Sequence, residues 1–169
     1  MKTVAIFVDV ANLYYCVDRK WTGRRLDYTA FTRKLVGDDV LYKAIAYGLQ
    51  FDTESAPFIG FLRHLGYTPK YKRPRLYRDP TSGAPTQRRT SWSMGMAMDI
   101  VDAVITNKVD EIFIGSSDGD LAALVEWVQE RGVKVTILSC GLSQELKRVC
   151  KTCIELTEDY LLNETPKTT

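Results

Sequence analysis

Ile112-Phe113-Ile114-Gly115-Ser116-Ser117-Asp118-Gly119-Asp120 decides how this chain folds, because it sets two carboxylates and two hydroxyls directly behind an apolar strand. The run 112–114 suits a buried strand, and Gly115 to Gly119 make a small turn into Leu121-Ala122-Ala123-Leu124-Val125-Glu126-Trp127-Val128. Leu121, Leu124, Val125 and Val128 share one helical face. Gly132 stops that helix, and Val133-Lys134-Val135-Thr136-Ile137-Leu138 starts a second β-rich run. Strand, helix and strand of these lengths make one βαβ unit with parallel strands. In open parallel sheets ligands collect at the carboxyl ends of the strands, where Asp118 and Asp120 fall. A cap for the following helix is an equally good use of Asp118 when this stretch is taken alone.

Val4-Ala5-Ile6-Phe7-Val8 is another apolar strand, and it ends in Asp9-Val10-Ala11-Asn12-Leu13 at the start of a helical pattern. Two buried parallel strands that each end in Asp bring their carboxylates together. That costs energy unless a cation or a shared proton offsets the repulsion. An oxygen-only cluster suits magnesium or manganese better than zinc.

Asp9-x-x-Asn12 after the first strand, an acidic helix around Asp99 and Ser117-Asp118-Gly119-Asp120 after a later strand together resemble the NYN domain. This is a branch of the PIN-like nucleases that includes the LabA-like bacterial proteins. The resemblance runs over residues 3–140 or so, with the three motifs in the family's order. It implies a three-layer α/β/α sandwich of Rossmann-like type with a mostly parallel sheet, and metal-dependent cleavage of RNA. The family places two aspartates six residues apart on the acidic helix. Asp99 matches the second, and Ser93 stands where the first would be. The family's lysine before that helix has no evident counterpart, although Arg88 or Arg89 can reach the region. Asp102 or Asp120 is a candidate to compensate for Ser93.

The chain has 169 residues, 45% hydrophobic and 26% charged, which suits one soluble domain over 1–162 and a disordered tail from Asn163. A net charge of +2 is only mildly basic, so any nucleic-acid footprint must come from local clustering. No signal pattern and no run near ~20 apolar residues is present, which places the chain in the cytoplasm and off the membrane. Neither a P-loop nor GxGxxG occurs, against nucleotide triphosphate and dinucleotide chemistry. Among four cysteines, Cys150 and Cys153 have the C-x-x-C spacing without a second pair. Leu146, Val149, Cys150 and Cys153 make a stripe that reads as the buried face of a helix, so core thiols are favoured over bridges or zinc.

Residues 67–91 differ in composition from the rest. Seven basic residues between 70 and 89 (Lys70, Lys72, Arg73, Arg75, Arg78, Arg88 and Arg89) face one acid, Asp79, and interleave with Tyr71 and Tyr77. Alternation over 70–78 predicts a strand with a basic face, followed by a protruding turn. A charged, solvated edge strand is the plain alternative. Beside a metal site, such residues contact phosphates and stack on bases of a single strand. Ser91 is expected to cap a helix over 92–106 whose apolar side carries Met94, Met98 and Val101. His64, at a helix end, has no partner that would make it a catalytic base.

The expectation is therefore an endoribonuclease in which Asp9, Asp99, Asp118 and Asp120 gather one or two Mg2+ or Mn2+ ions. Asn12 would orient a carboxylate or phosphate, Ser116 and Ser117 would donate to the scissile phosphate, and the basic segment would bind RNA, taken as single-stranded. A homodimer is the expected protein partner. The rival is a catalytically weak or inactive RNA-binding or assembly module of the same fold. A phosphatase of the haloacid-dehalogenase type would want Asp-x-Asp, and position 11 is Ala11.

Overall fold

A computed structural model describes residues 1–49, 56–72, 76–78, 81–83, 85–87, 91–106 and 108–163, with the backbone alone at 49, 76–78 and 85–87. Its elements in chain order begin with β1 Thr3–Asp9, α1 Val10–Lys20, α2 Tyr28–Val36, β2 Val40–Leu49, α3 Ala56–His64 and β3 Thr68–Lys72. A short pair, β4 Leu76–Arg78 and β5 Pro85–Gln87, comes next. The remainder is α4 Ser93–Ile105, β6 Glu111–Gly115, α5 Ala122–Glu130, β7 Lys134–Ser139, α6 Gln144–Val149 and β8 Thr152–Glu155.

The six-stranded sheet runs β3-β2-β1-β6-β7-β8, and every neighbouring pair is parallel. β1 and β6 are fully buried at their centres, which is why both read as unbroken apolar runs in place of alternating ones. The helices cover both faces. Leu13 and Val17 of α1, Phe31 and Leu35 of α2 and Leu62 of α3 pack with Val4, Ile6 and Val8. Met96, Ile100 and Val104 of α4, Val125 and Val128 of α5 and Leu146 of α6 pack with Ala5, Phe7, Ile45 and Tyr47. The result is the three-layer α/β/α sandwich of a PIN-like fold. No helix is long and apolar enough to cross a membrane among the described residues.

The structure corrects three expectations from the sequence. The apolar side of α4 is Met96, Ile100, Ala103 and Val104, while Met94 and Met98 are 76% and 68% exposed. This helix carries methionines on two sides, so its sequence offers two competing apolar stripes. The helix expected to continue through Cys153 ends at Val149. Thr152–Glu155 instead extends the sheet as β8, with Cys153 exposed, because Thr152 to Glu155 alternate in burial as an edge strand does. The basic strand expected over 70–78 is two elements: β3 joins the main sheet, and β4 pairs antiparallel with β5.

The thiols also differ from expectation. Cys16 of α1 and Cys140, just past β7, are paired as a disulfide with their Cα atoms 5.7 Å apart. Pairing depends on which loops the fold brings together, and a separation of 124 residues hides that from a sequence reading. His64 is exposed at the end of α3, as expected. The tail from 164 lies outside the described residues.

The start of α4 is fixed by Trp92. Its Nε1 donates to the Gly48 carbonyl at the end of β2 (2.9 Å), and its ring lies 5.3 Å from that of Tyr47. Gly95 makes room for that ring, since a Cβ there would stand 2.9 Å from Trp92 Cε3. Alanine in a helix gains up to about 1 kcal/mol over glycine, whereas overpacking a rigid ring costs about 1–3 kcal/mol. Gly95→Ala should therefore lower Tm in calorimetry, and a raised Tm would show that Trp92 is not wedged against the helix.

Candidate active site at the strand ends

The strand order reverses between β1 and β6, so the crevice at their carboxyl ends is the switch point of the sheet. Val8 pairs with Gly115, which leaves Asp9 level with Ser116 and brings the Asp118 turn alongside. Each aspartate caps the helical turn directly after it. Asp9 accepts the Asn12 N–H at 2.9 Å at the head of α1, and Asp118 accepts the Asp120 N–H at 3.1 Å at the head of a 3₁₀ turn, Gly119–Leu121. Capping and site placement are thus the same geometry.

Asn12 joins the two halves. Its Oδ1 accepts both the N–H and the Oγ–H of Ser117, each at 3.0 Å. Ser116 is buried, and its Oγ accepts the Asp118 N–H at 3.2 Å. These three side chains shape the turn that presents Asp118. From the start of α4, Ser93 Oγ donates to Asp118 Oδ2 at 2.5 Å, so the position where the resemblance implies an aspartate does touch the site.

Asp99 stands apart from that pair and is held by other partners. Lys70 Nζ lies 2.7 Å from both of its carboxylate oxygens, and the Tyr47 hydroxyl donates to Oδ2 at 2.6 Å. Burial and the neighbouring Asp99 hold the Tyr47 phenol far above its ordinary range, so it stays a neutral donor. Tyr47 is the site residue that sequence reasoning missed. It lies two residues before the end of β2, and only the β1–β2 register, which pairs Asp9 with Tyr47, reveals its place. Asp120 is exposed. Asp102 cannot compensate for Ser93, because it pairs with Lys43 (3.3 Å), which lies beside Ala5 well below the strand ends. Among the described residues, no group of three or more His, Cys, Asp and Glu is placed to hold a metal ion.

Of the basic segment, Lys72 lies 3.9 Å from the centre of the Trp92 ring and Tyr71 is 45% exposed. Arg73, Arg75, Arg88 and Arg89, and the side chain of Tyr77, lie outside the described residues. Burial, with the nearby Asp118 charge, raises the Asp9 carboxyl above its ordinary value, against backbone N–H groups of Asn12 and Ala11 that lower it. Two carboxylates meeting in a partly dry crevice fit one divalent cation by charge and by their oxygen-only chemistry.

A parallel sheet covered on both faces, with paired aspartates at its switch point, defines the PIN-like class. The chain belongs to the NYN domain family, whose model matches residues 3–157. It is 26% identical over 162 residues to the low amplitude and bright protein LabA of Synechococcus elongatus, covering 92% of this chain and 84% of that protein. Among solved structures, a protein of unknown function from Vibrio parahaemolyticus matches with a TM-score of 0.80 and 28% identity, covering 95% of this chain and 96% of that one.

A raised carboxyl takes its proton in the native state before the unfolded chain does. Stability therefore falls as pH rises from the unfolded to the native Asp9 value, and the ionised form is a standing cost at neutral pH. Asp9→Asn keeps a capping oxygen and removes the charge. The metal-free variant should melt above wild type at neutral pH, with the gain shrinking as pH falls below the native Asp9 value and gone below the unfolded one, and melts across that range check it. Ser93→Asp should do the reverse. A further carboxylate against Asp118 should lower the metal-free Tm and tighten Mg2+ binding in a calorimetric titration, and unchanged affinity would remove position 93 from the cation site.

Proposed function

We propose that this NYN domain is a metal-dependent endoribonuclease that hydrolyses phosphodiester bonds in single-stranded RNA. The observation that carries the reading is the meeting of Asp9 and Asp118 at the switch point, with Asp9 raised by burial and by its neighbour. Asp9 and Asp118 would hold one Mg2+ or Mn2+. Such an ion supplies Lewis acidity, lowering the pKa of a water and neutralising phosphate charge.

The chain's own residues supply position. Asn12 and Ser117 lock α1 to the turn after β6, which would hold the two carboxylates at a fixed separation. Ser93 fixes Asp118 Oδ2. Asp120, exposed beside them, adds charge that attracts a cation from solvent. The basic and aromatic residues of 70–89 would track the RNA backbone and stack on its bases. Hydrolysis would release the 3′ hydroxyl, as the family resemblance implies.

The second reading is an RNA-binding or assembly module of weak or no activity. Ser93 in place of a carboxylate and an Asp99 already neutralised by Lys70 favour it. Labelled single-stranded RNA with Mn2+, against the same mixture with chelator, separates the two. The nuclease reading expects chelator-sensitive cleavage that falls about 10²–10⁴-fold in Asp9→Asn and in Asp118→Asn, the range set by several kcal/mol of lost charge stabilisation. The double variant should lose little more than either single one, because the pair acts as a unit. Binding that weakens steeply with salt and no cleavage would establish the module instead.

A further inference from the structure

We propose that Lys70 supplies the second positive charge of this site and that Asp99 serves to hold it, so that the site works with one metal ion and one ammonium. This rests on the nuclease reading of the same site.

The sheet register places the groups. Asp9 pairs with Tyr47 and Tyr47 pairs with Lys70, so the three stand in one row across β1, β2 and β3, level with the end of β1. Tyr47 packs with Met96 and Ile100 of α4, which puts this row on the α4 side of the sheet. There Asp99 meets it: Lys70 approaches both carboxylate oxygens at 2.7 Å, and Tyr47 donates to one of them at 2.6 Å. A carboxylate with an ammonium across both oxygens and a phenol on one has little left for a cation. To ligate metal it would first have to break a partly buried pair, Asp99 being 21% exposed.

Charge points the same way. Asp9 and Asp118 carry two negative charges, while Asp99 and Lys70 cancel. One divalent ion balances the first pair. A second would have only the exposed Asp120 left to offset its charge, at a place where, among the described residues, no third carboxylate joins the group. Ser93, a neutral hydroxyl against Asp118, leaves the site without the charge a second ion would need. Lys70 is 39% exposed, and an ammonium has three donors, of which the two Asp99 oxygens take two. Among the described residues no other acceptor takes the third, which would reach a nonbridging oxygen of the scissile phosphate. In the reaction the oxygen of water bonds to phosphorus and the bond from phosphorus to the 3′ oxygen breaks. The water gives up one proton and the leaving oxygen takes one up. Lys70 stabilises the charge that gathers on the phosphoryl oxygens.

The test counts metal and measures turnover on the same full-length proteins. Free Mn2+ read by electron paramagnetic resonance should titrate to one tight ion per wild-type chain. Asp99→Asn should bind Mn2+ within about twofold of wild type yet lose about 10²–10³ in kcat on single-stranded RNA, the loss expected when one preorganised donor is misplaced. Lys70→Ala should lose a similar factor in kcat with its Mn2+ titration unchanged, and Lys70→Arg should recover part of it. Two tight ions in wild type, or Mn2+ affinity that drops in Asp99→Asn, would overturn the assignment and make Asp99 a ligand. Lys70→Ala with wild-type kcat and a raised KM would overturn it too, reducing Lys70 to a backbone contact. If wild type binds one Mn2+ but leaves RNA intact, the nuclease reading fails and the part of Lys70 in cleavage fails with it. The Asp99→Asn titration would still decide whether Asp99 is a metal ligand.

Discussion

The pairing of β1 with β6 is the contact on which the rest of this molecule depends. Neither strand has a solvated face, so their apolar runs must meet each other and the helices on both sides. The register that achieves this, Val8 against Gly115, also sets the ends of the two strands level. Gly115 permits it: a Cβ there would stand 3.0 Å from Leu13 Cδ1 and 3.3 Å from Val8 Cγ2. A larger residue would push α1 from the turn after β6 and separate Asn12 from Ser117. The apolar core thus determines how close two carboxylates come, and their repulsion is borne by the same burial that stabilises the strands.

How much of this was legible in the sequence depended on whether a feature is local. β1, β6 and β7 were plain as apolar runs, and the parallel βαβ arrangement came from the helix between the last two. Asp9 and Asp118 could be placed because a residue close behind a strand has its position fixed by that strand. Tyr47 and the direction taken by Lys70 could not, since both depend on the β1–β2–β3 register, which no single stretch encodes. The same limit hid the Cys16–Cys140 link, whereas Met94 and Met98 looked like core because α4 offers two competing apolar stripes. β8 was misread for another reason. Four residues alternating in burial carry too short a pattern to outweigh a helical stripe of Leu146, Val149, Cys150 and Cys153.

The residues expected to touch substrate divide into two kinds. Asn12, Ser116 and Ser117 are engaged with one another and with Asp118, so their hydroxyl and amide groups act on the site through its shape. Lys70 is also engaged, but with a carboxylate whose own place is fixed by Tyr47, and it lies at a partly exposed edge. Trp92 contributes at one remove, seating α4 on β2 so that Ser93 and Asp99 arrive at the same rim from one helix.

Because Asp9, Tyr47 and Lys70 stand on three adjacent strands in one register row, the sheet itself acts as a ruler. Neighbouring strands lie about 4.8 Å apart, so Lys70 is anchored roughly 10 Å from Asp9 by backbone hydrogen bonds. Loops can lengthen or change composition around this row without altering that interval. Variation in the β4–β5 hairpin or in the connections can therefore change which molecules reach the rim, while the spacing of charges along it stays fixed.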